Sequence, residues 1–166
     1  MQMTNENRSG LLADSTADSS DARPVVVHVC TSCRARGTER EPRHNRPGFK
    51  LYKNLSRFVE ESKLASQVRV QPTDCLSLCP RPCGIALSSD DSWSYLFADQ
   101  DPESSPSDIL KCVSLYMEVA EGFMPRERRP ASLRGSVVGR IPPMKCPSAK
   151  HKLPSEITTN QESTDE

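Results

Sequence analysis

The sequence predicts an α/β domain with a mixed sheet in the order β-α-β-β-β-α, and three observations carry that expectation. A β-branched apolar run, VVVHV (25–29), precedes an amphipathic segment over 49–65, and the alternating run QVRVQ (67–71) follows it. Strand, helix and strand form a crossover unit, whose two strands lie parallel because a helix separates them. Downstream, GIALSS (84–89) and WSYLF (93–97) flank the tight acidic turn Asp90-Asp91-Ser92, which implies an antiparallel hairpin.

Each element has its own reason. VVVHV is short and apolar, the pattern of a strand buried on both faces, and it delivers Cys30 and Cys33 to its C-terminal end. From Arg34 to Gly48 the chain is a charged loop, broken by Gly37, Pro42, Pro47 and Gly48. In the helix, Leu51, Leu55, Phe58, Val59 and Ser62 fall on one face. Pro72 is expected to end the second strand. In ILKCVSLYMEVAEG (109–122), Ile109, Val113, Tyr116, Met117 and Ala120 share a helical face, and Gly122 acts as a stop.

The composition of 166 residues, 35% hydrophobic with 14 Pro and 7 Cys, is that of one small domain with polar extensions. Residues 1–24 read as a disordered extension, 25–143 as the ordered domain with an Arg/Pro-rich C-terminal segment, and 144–166 as a disordered tail. No apolar run is long enough for a membrane helix, and the acidic N-terminus lacks the features of a secretory or organellar leader. A soluble, cytoplasmic protein is expected.

Net charge is zero, divided as −2 over residues 1–24, −1 over 25–124 and +3 over 125–166. That balance lacks the basic excess of a nucleic-acid binder. There is no phosphate-cradling glycine loop, Ser-His-Asp set or pair of catalytic carboxylates, so an enzyme is not expected.

Function is sought at the cysteines. Five of the seven lie in two groups, CTSC (30–33) and CLSLCPRPC (75–83), each directly after a predicted strand. Adjacent parallel strands end on the same sheet edge, so the groups should converge. Clustered thiolates select zinc, Cu(I) or iron-sulfur centres. Zinc usually takes CxxC at both ends, whereas the second group is CxxxCxxxC, so zinc is the alternative and not the first choice. Cys112 reads as a buried core thiol and Cys146 as a spare thiol in the tail. His28 reads as a histidine satisfied by its neighbours, and His44 as a weak candidate in the loop. Trp93 and Tyr95 read as hairpin packing residues.

With these motifs on the page, the order of strand, cysteines, helix, strand, CLSLC, hairpin and helix resembles the thioredoxin-like [2Fe-2S] ferredoxins. More closely, VHVCTSCRARG, VQPTDCLSLCPRPCGIAL, WSYLFADQDP and LYMEVAEGFMPRERRPASLRGSVVGRIPP resemble a family of small predicted metal-binding proteins known as a domain of unknown function. The resemblance covers about residues 26–143. It implies a thioredoxin-like fold and a [2Fe-2S] cluster held by Cys30, Cys33, Cys75 and Cys79, with Cys83 a fifth thiol. The ferredoxins space their first two cysteines more widely than CTSC does, so Cys83 stands as an alternate for Cys30 or Cys33.

Such a centre would serve as a non-catalytic carrier for electron transfer or metal delivery. An oxidised cluster on four thiolates has a charge of about −2, which nearby cations would offset. Residues 34–53 offer Arg34, Arg36, Arg40, Arg43, Arg46, Lys50 and Lys53 against Glu39 and Glu41, a net +5. The loop reads either as a solvated surface or as a docking surface for an acidic redox or metal-acceptor protein. Two other functions stay open. One is a thiol-disulfide oxidoreductase using Cys30 and Cys33, for which the loop after CTSC offers no helix N-terminus, only arginines, to lower the thiol pKa. The other is a structural zinc adaptor that uses the basic loop and Arg126, Arg128, Arg129, Arg134 and Arg140 as its contact surface.

Overall fold

The first strand forms where the apolar run predicts it. In the computed structural model, which describes residues 23–35, 37–39 and 41–144, β1 spans Val25–Cys30. Val25, Val27 and Val29 are buried, but Val26 and His28 are only half-buried, so the strand is covered on one face and not on both.

α1 (Pro47–Glu60) opens with a proline whose missing N–H has no intrahelical partner to lose, and it buries Gly48, Leu51, Leu55 and Val59. It ends five residues before the amphipathic pattern does. The Ser62 hydroxyl donates to the Val59 carbonyl at 2.7 Å and accepts from the Leu64 N–H at 3.1 Å, local bonds that replace helical ones. β2 (Val68–Thr73) pairs parallel with β1 and contains Pro72, opposite Val29. The proline is tolerated because β2 is an edge strand.

β3 (Ile85–Ser88) and β4 (Ser94–Phe97) make the expected antiparallel hairpin, with Asp91 in the turn at φ 50°. α2 (Ser105–Glu118) starts earlier than its apolar stripe. Asp101 prepares that start, its carboxylate accepting the Glu103 and Ser104 N–H groups at 2.9 and 2.8 Å. Ala120 lies beyond the helix and is exposed, and Gly122 follows at φ 67°. A Cβ at Gly122 would sit 2.3 Å from the Tyr116 ring.

The predicted order is found and continues with α3 (Ala131–Arg134) and β5 (Val137–Ile141), which the Arg/Pro-rich composition hides. The five-stranded mixed sheet runs β2-β1-β3-β4-β5, parallel only between β1 and β2. α1 and α2 touch each other and share one core with Val27, Val29, Ile85, Leu87, Tyr95 and Phe97. Tyr95 packs at that core, where its hydroxyl accepts the Met124 N–H at 2.9 Å and the Arg129 guanidinium lies over its ring. Trp93 packs edge-on against Phe123, so both hairpin aromatics are packing residues. Among the described residues no helix is long and apolar enough to cross a membrane.

Candidate metal centre

Backbone bonds lock the two cysteine groups together. The Cys30 N–H donates to the Gly84 carbonyl at 3.0 Å, and the Thr31 N–H donates to the Thr73 carbonyl at 2.8 Å. The CTSC turn is therefore tied to both ends of the loop that carries Cys75, Cys79 and Cys83. Adjacent strand ends bring this about, as the sheet topology requires.

Cys30, Cys33 and Cys83 are buried, with exposures of 2–3%. Their thiols lie in a row in which Cys33 interacts with both Cys30 and Cys83. The Gly84 N–H donates to the Cys33 sulfur at 3.4 Å. The Cys30 thiol is held well above the ordinary range, chiefly by its bond with Cys33 and then by burial. For Cys33 the bond with Cys30 favours the thiolate, but the bond with Cys83 and burial outweigh it and push the thiol up to about 11.

Cys75 and Cys79 are exposed on the loop. The Asp74 carbonyl lies 3.8 Å from the Cys30 sulfur, so a neighbour of Cys75 touches Cys30. The Ser77 N–H donates to the Cys75 sulfur at 3.3 Å. Leu78 folds back over Gly84, where a Cβ would meet its Cδ1 at 2.7 Å. Among the described residues no three Cys, His, Asp or Glu side chains gather closely enough to hold a single ion.

The helix start is closer to CTSC than the loop composition suggests. The Gly48 N–H donates to the Cys33 carbonyl at 3.3 Å, and a Cβ at Gly48 would lie 2.1 Å from the Cys30 carbonyl oxygen. The loop from Arg34 folds back and returns α1 to the cysteines, which corrects the expectation that no helix N-terminus lies there. The Pro47-Gly48 pair, read as a breaker, carried that information: proline suits a helix start and glycine permits close backbone approach.

The arginines are largely engaged within the chain. Arg43 bonds Thr31 and Asp74, Arg34 donates to the Thr38 carbonyl, and Arg46 donates to the Glu41 carbonyl. Arg36, Arg40 and Cys146 lie outside the described residues. In the C-terminal segment Arg126, Arg129 and Arg134 donate to backbone carbonyls, Arg128 pairs with Glu118, and Arg140 lies over Trp93 and Phe123. Arg129 is buried, whereas Arg126, Arg128, Arg134 and Arg140 are exposed while making these contacts. His28 Nδ1 lies 3.4 Å from the Thr73 hydroxyl, and His44 is exposed. Cys112 is buried away from the centre beside the Met124 sulfur at 3.6 Å, and burial pushes its thiol up to about 12.

The fold is similar to that of a thioredoxin-like [2Fe-2S] ferredoxin from Aquifex aeolicus, at a TM-score of 0.50 and 18% identity, covering 74% of this chain and 96% of the ferredoxin. A 1.5 Å crystal structure of the wild-type thioredoxin-like ferredoxin from the same organism matches at a TM-score of 0.47 and 18% identity, covering 71% and 99%. At such identity the likeness shows the fold, an α/β architecture of thioredoxin-like ferredoxin type. No curated protein matches the chain in sequence. Residues 27–143 match the family described as "Protein of unknown function (DUF1636)", and that span contains both cysteine groups and every strand after the start of β1, so the chain belongs to this family.

Proposed function

We propose that this chain is a metal-binding protein carrying a [2Fe-2S] cluster for electron transfer or metal delivery. Cys30, Cys33, Cys75 and Cys79 are the ligands, with Cys83 the alternate. The observation that carries this reading is the double backbone tie of CTSC to Thr73 and Gly84, which closes both cysteine groups around one sheet edge. The donor set fits: thiolates are the usual ligands of iron-sulfur clusters, and all five lie in these two segments.

The spacing of the second group sets a cluster ahead of zinc, since zinc sites usually take CxxC at both ends and this group is CxxxCxxxC. The chain also shares its fold with a protein named for a [2Fe-2S] cluster. A bound cluster would supply one-electron transfer. The residues of this chain bury the CTSC side and leave the CxxxC side at the surface.

The thiol-disulfide reading draws on the contact between the Cys30 and Cys33 thiols and on the nearby start of α1. Burial of both thiols opposes it, since a working nucleophile must be accessible and readily ionised.

Anaerobic purification, a visible spectrum and assays for iron, zinc and acid-labile sulfide test the proposal. Brown protein with equal iron and sulfide, lost in Cys75→Ser and Cys79→Ser and kept in Cys112→Ser, is the expected result. Colourless protein holding only zinc, or unchanged iron in both loop variants, would overturn it.

A further inference from the structure

α1 carries a cationic stripe that folding does not require. Lys50, Lys53 and Arg57 fall at i, i+3 and i+7, within about 60° of one another on a helix of 3.6 residues per turn, and the N-cap Arg46, which bonds the Glu41 carbonyl, precedes them. They lie opposite the buried face of Gly48, Leu51, Leu55 and Val59. Among the described residues Lys50, Lys53 and Arg57 make no ion pair and no side-chain hydrogen bond. Lys53 and Arg57 repel each other at i, i+4, and Lys50 sits near the positive end of the helix, while only Arg57, in the last turn, suits the helix dipole.

At its C-terminal end the stripe borders a cleft of about 660 Å³ between α1 and β2. Lys53 and Arg57 line one wall and Arg69 of β2 lines the other, with Glu60 the only carboxylate among the lining residues. At its N-terminal end the same helix packs Gly48 on Cys30 and Cys33. Arg57 stands nine residues beyond Gly48, about 14 Å along the helix.

We propose that this stripe and cleft dock an acidic helix of a partner protein, with carboxylates matching the cations turn by turn and one entering between Arg57 and Arg69. The surface keeps Lys50 and Lys53 of the basic run 34–53, adds Arg57 and Arg69, and leaves out Arg43, which bonds Thr31 and Asp74. A protein fits better than a nucleic acid. The chain is neutral overall and lacks the field that draws a polyanion, while helical spacing on one face suits short-range pairing with another helix. A partner lying along the stripe would sit on the side of α1 away from Gly48 and the CTSC turn. The surface exists whether or not the cysteines hold metal.

Fluorescence anisotropy on the full chain tests this with two synthetic Glu-rich helical peptides of equal composition, one with glutamates on a single face and one scrambled. The single-face peptide is expected to bind more tightly, and to lose at least about tenfold in affinity when salt rises from about 20 to about 200 mM. The double variant K53E/R57E should lose at least as much, K53Q/R57Q somewhat less, and the control K63E should bind as the parent does. Equal binding of the two peptides would overturn the proposal. So would unchanged binding by both double variants, or tighter binding of a short DNA duplex than of the single-face peptide.

Discussion

The guanidinium of Arg43 stands 2.6 Å from the carboxylate of Asp74, joining the loop before α1 to the loop that carries Cys75. It also donates to the Thr31 hydroxyl from Nε at 3.1 Å, and Thr31 in turn donates to the Thr73 carbonyl at 3.1 Å. Thr31 is fully buried between Cys30 and Cys33. The three residues thus latch both cysteine groups. Both partners of the ion pair are largely exposed, so Arg43→Ala should lower stability by no more than about 1 kcal/mol. It should nevertheless speed alkylation of Cys30 by up to about fivefold, because the lost interactions act on local opening without global unfolding. Mass spectrometry of alkylated thiols, with Cys112 as the internal reference, reads this directly. An unchanged Cys30 rate would show that the latch holds nothing.

Gly48 is where α1 and the CTSC turn come closest. A methyl group there would meet the Cys30 carbonyl at 2.1 Å and the Cys33 Cβ at 3.0 Å, and neither backbone can retreat cheaply. Gly48→Ala should cost about 1–3 kcal/mol as an overpacked contact. Urea unfolding measures the loss, and a cost below about 0.5 kcal/mol would mean that the helix start moves freely.

Tyr95→Phe removes a single oxygen. Its hydroxyl accepts the buried Met124 N–H at 2.9 Å and is the acceptor recorded for that group. Leaving the donor unpaired should destabilise the domain by about 1–3 kcal/mol. An equilibrium denaturation midpoint equal to that of the parent chain would remove this bond from the account of how the C-terminal segment is anchored.

Acid should weaken the α2 end of the domain. The Ser132 hydroxyl and then the Lys111 ammonium hold the Asp108 carboxyl below its ordinary value of 3.8. A carboxylate whose pKa is lowered by folding adds stability above its unfolded pKa and loses that stability as pH falls through the folded one. The Asp108 contribution is therefore present above about pH 4 and fades below it. Asp108→Asn should flatten the pH dependence of the melting temperature between about pH 5 and pH 2, and identical slopes in parent and variant would refute the assignment.

The cysteine groups, the crossover and the hairpin were legible because each depends on local pattern. β-branched runs, helical spacing and a tight acidic turn lie within short stretches of chain. The parallel pairing of β1 with β2 followed from connection length alone, and with it the convergence of CTSC and CLSLCPRPC. β5 was hidden, since Val137–Ile141 includes Gly139 and Arg140 and becomes a strand only by pairing with β4. Its propensity is too weak to announce it.

By itself the sequence determined which side chains exist for chemistry and which segments deliver them: five thiols after two parallel strands, and three cations on one face of one helix. Tertiary structure decided how they are used. It buried Cys30, Cys33 and Cys83 in a row while leaving Cys75 and Cys79 exposed, a division that the CxxC and CxxxC spacings do not contain. It also placed Arg43 in a latch and, among the described residues, left Lys53 and Arg57 without an ion pair, although all three look alike in the sequence. The reason is physical: burial and pairing are set by what the rest of the chain brings alongside a residue, and those neighbours lie tens of residues away along the chain.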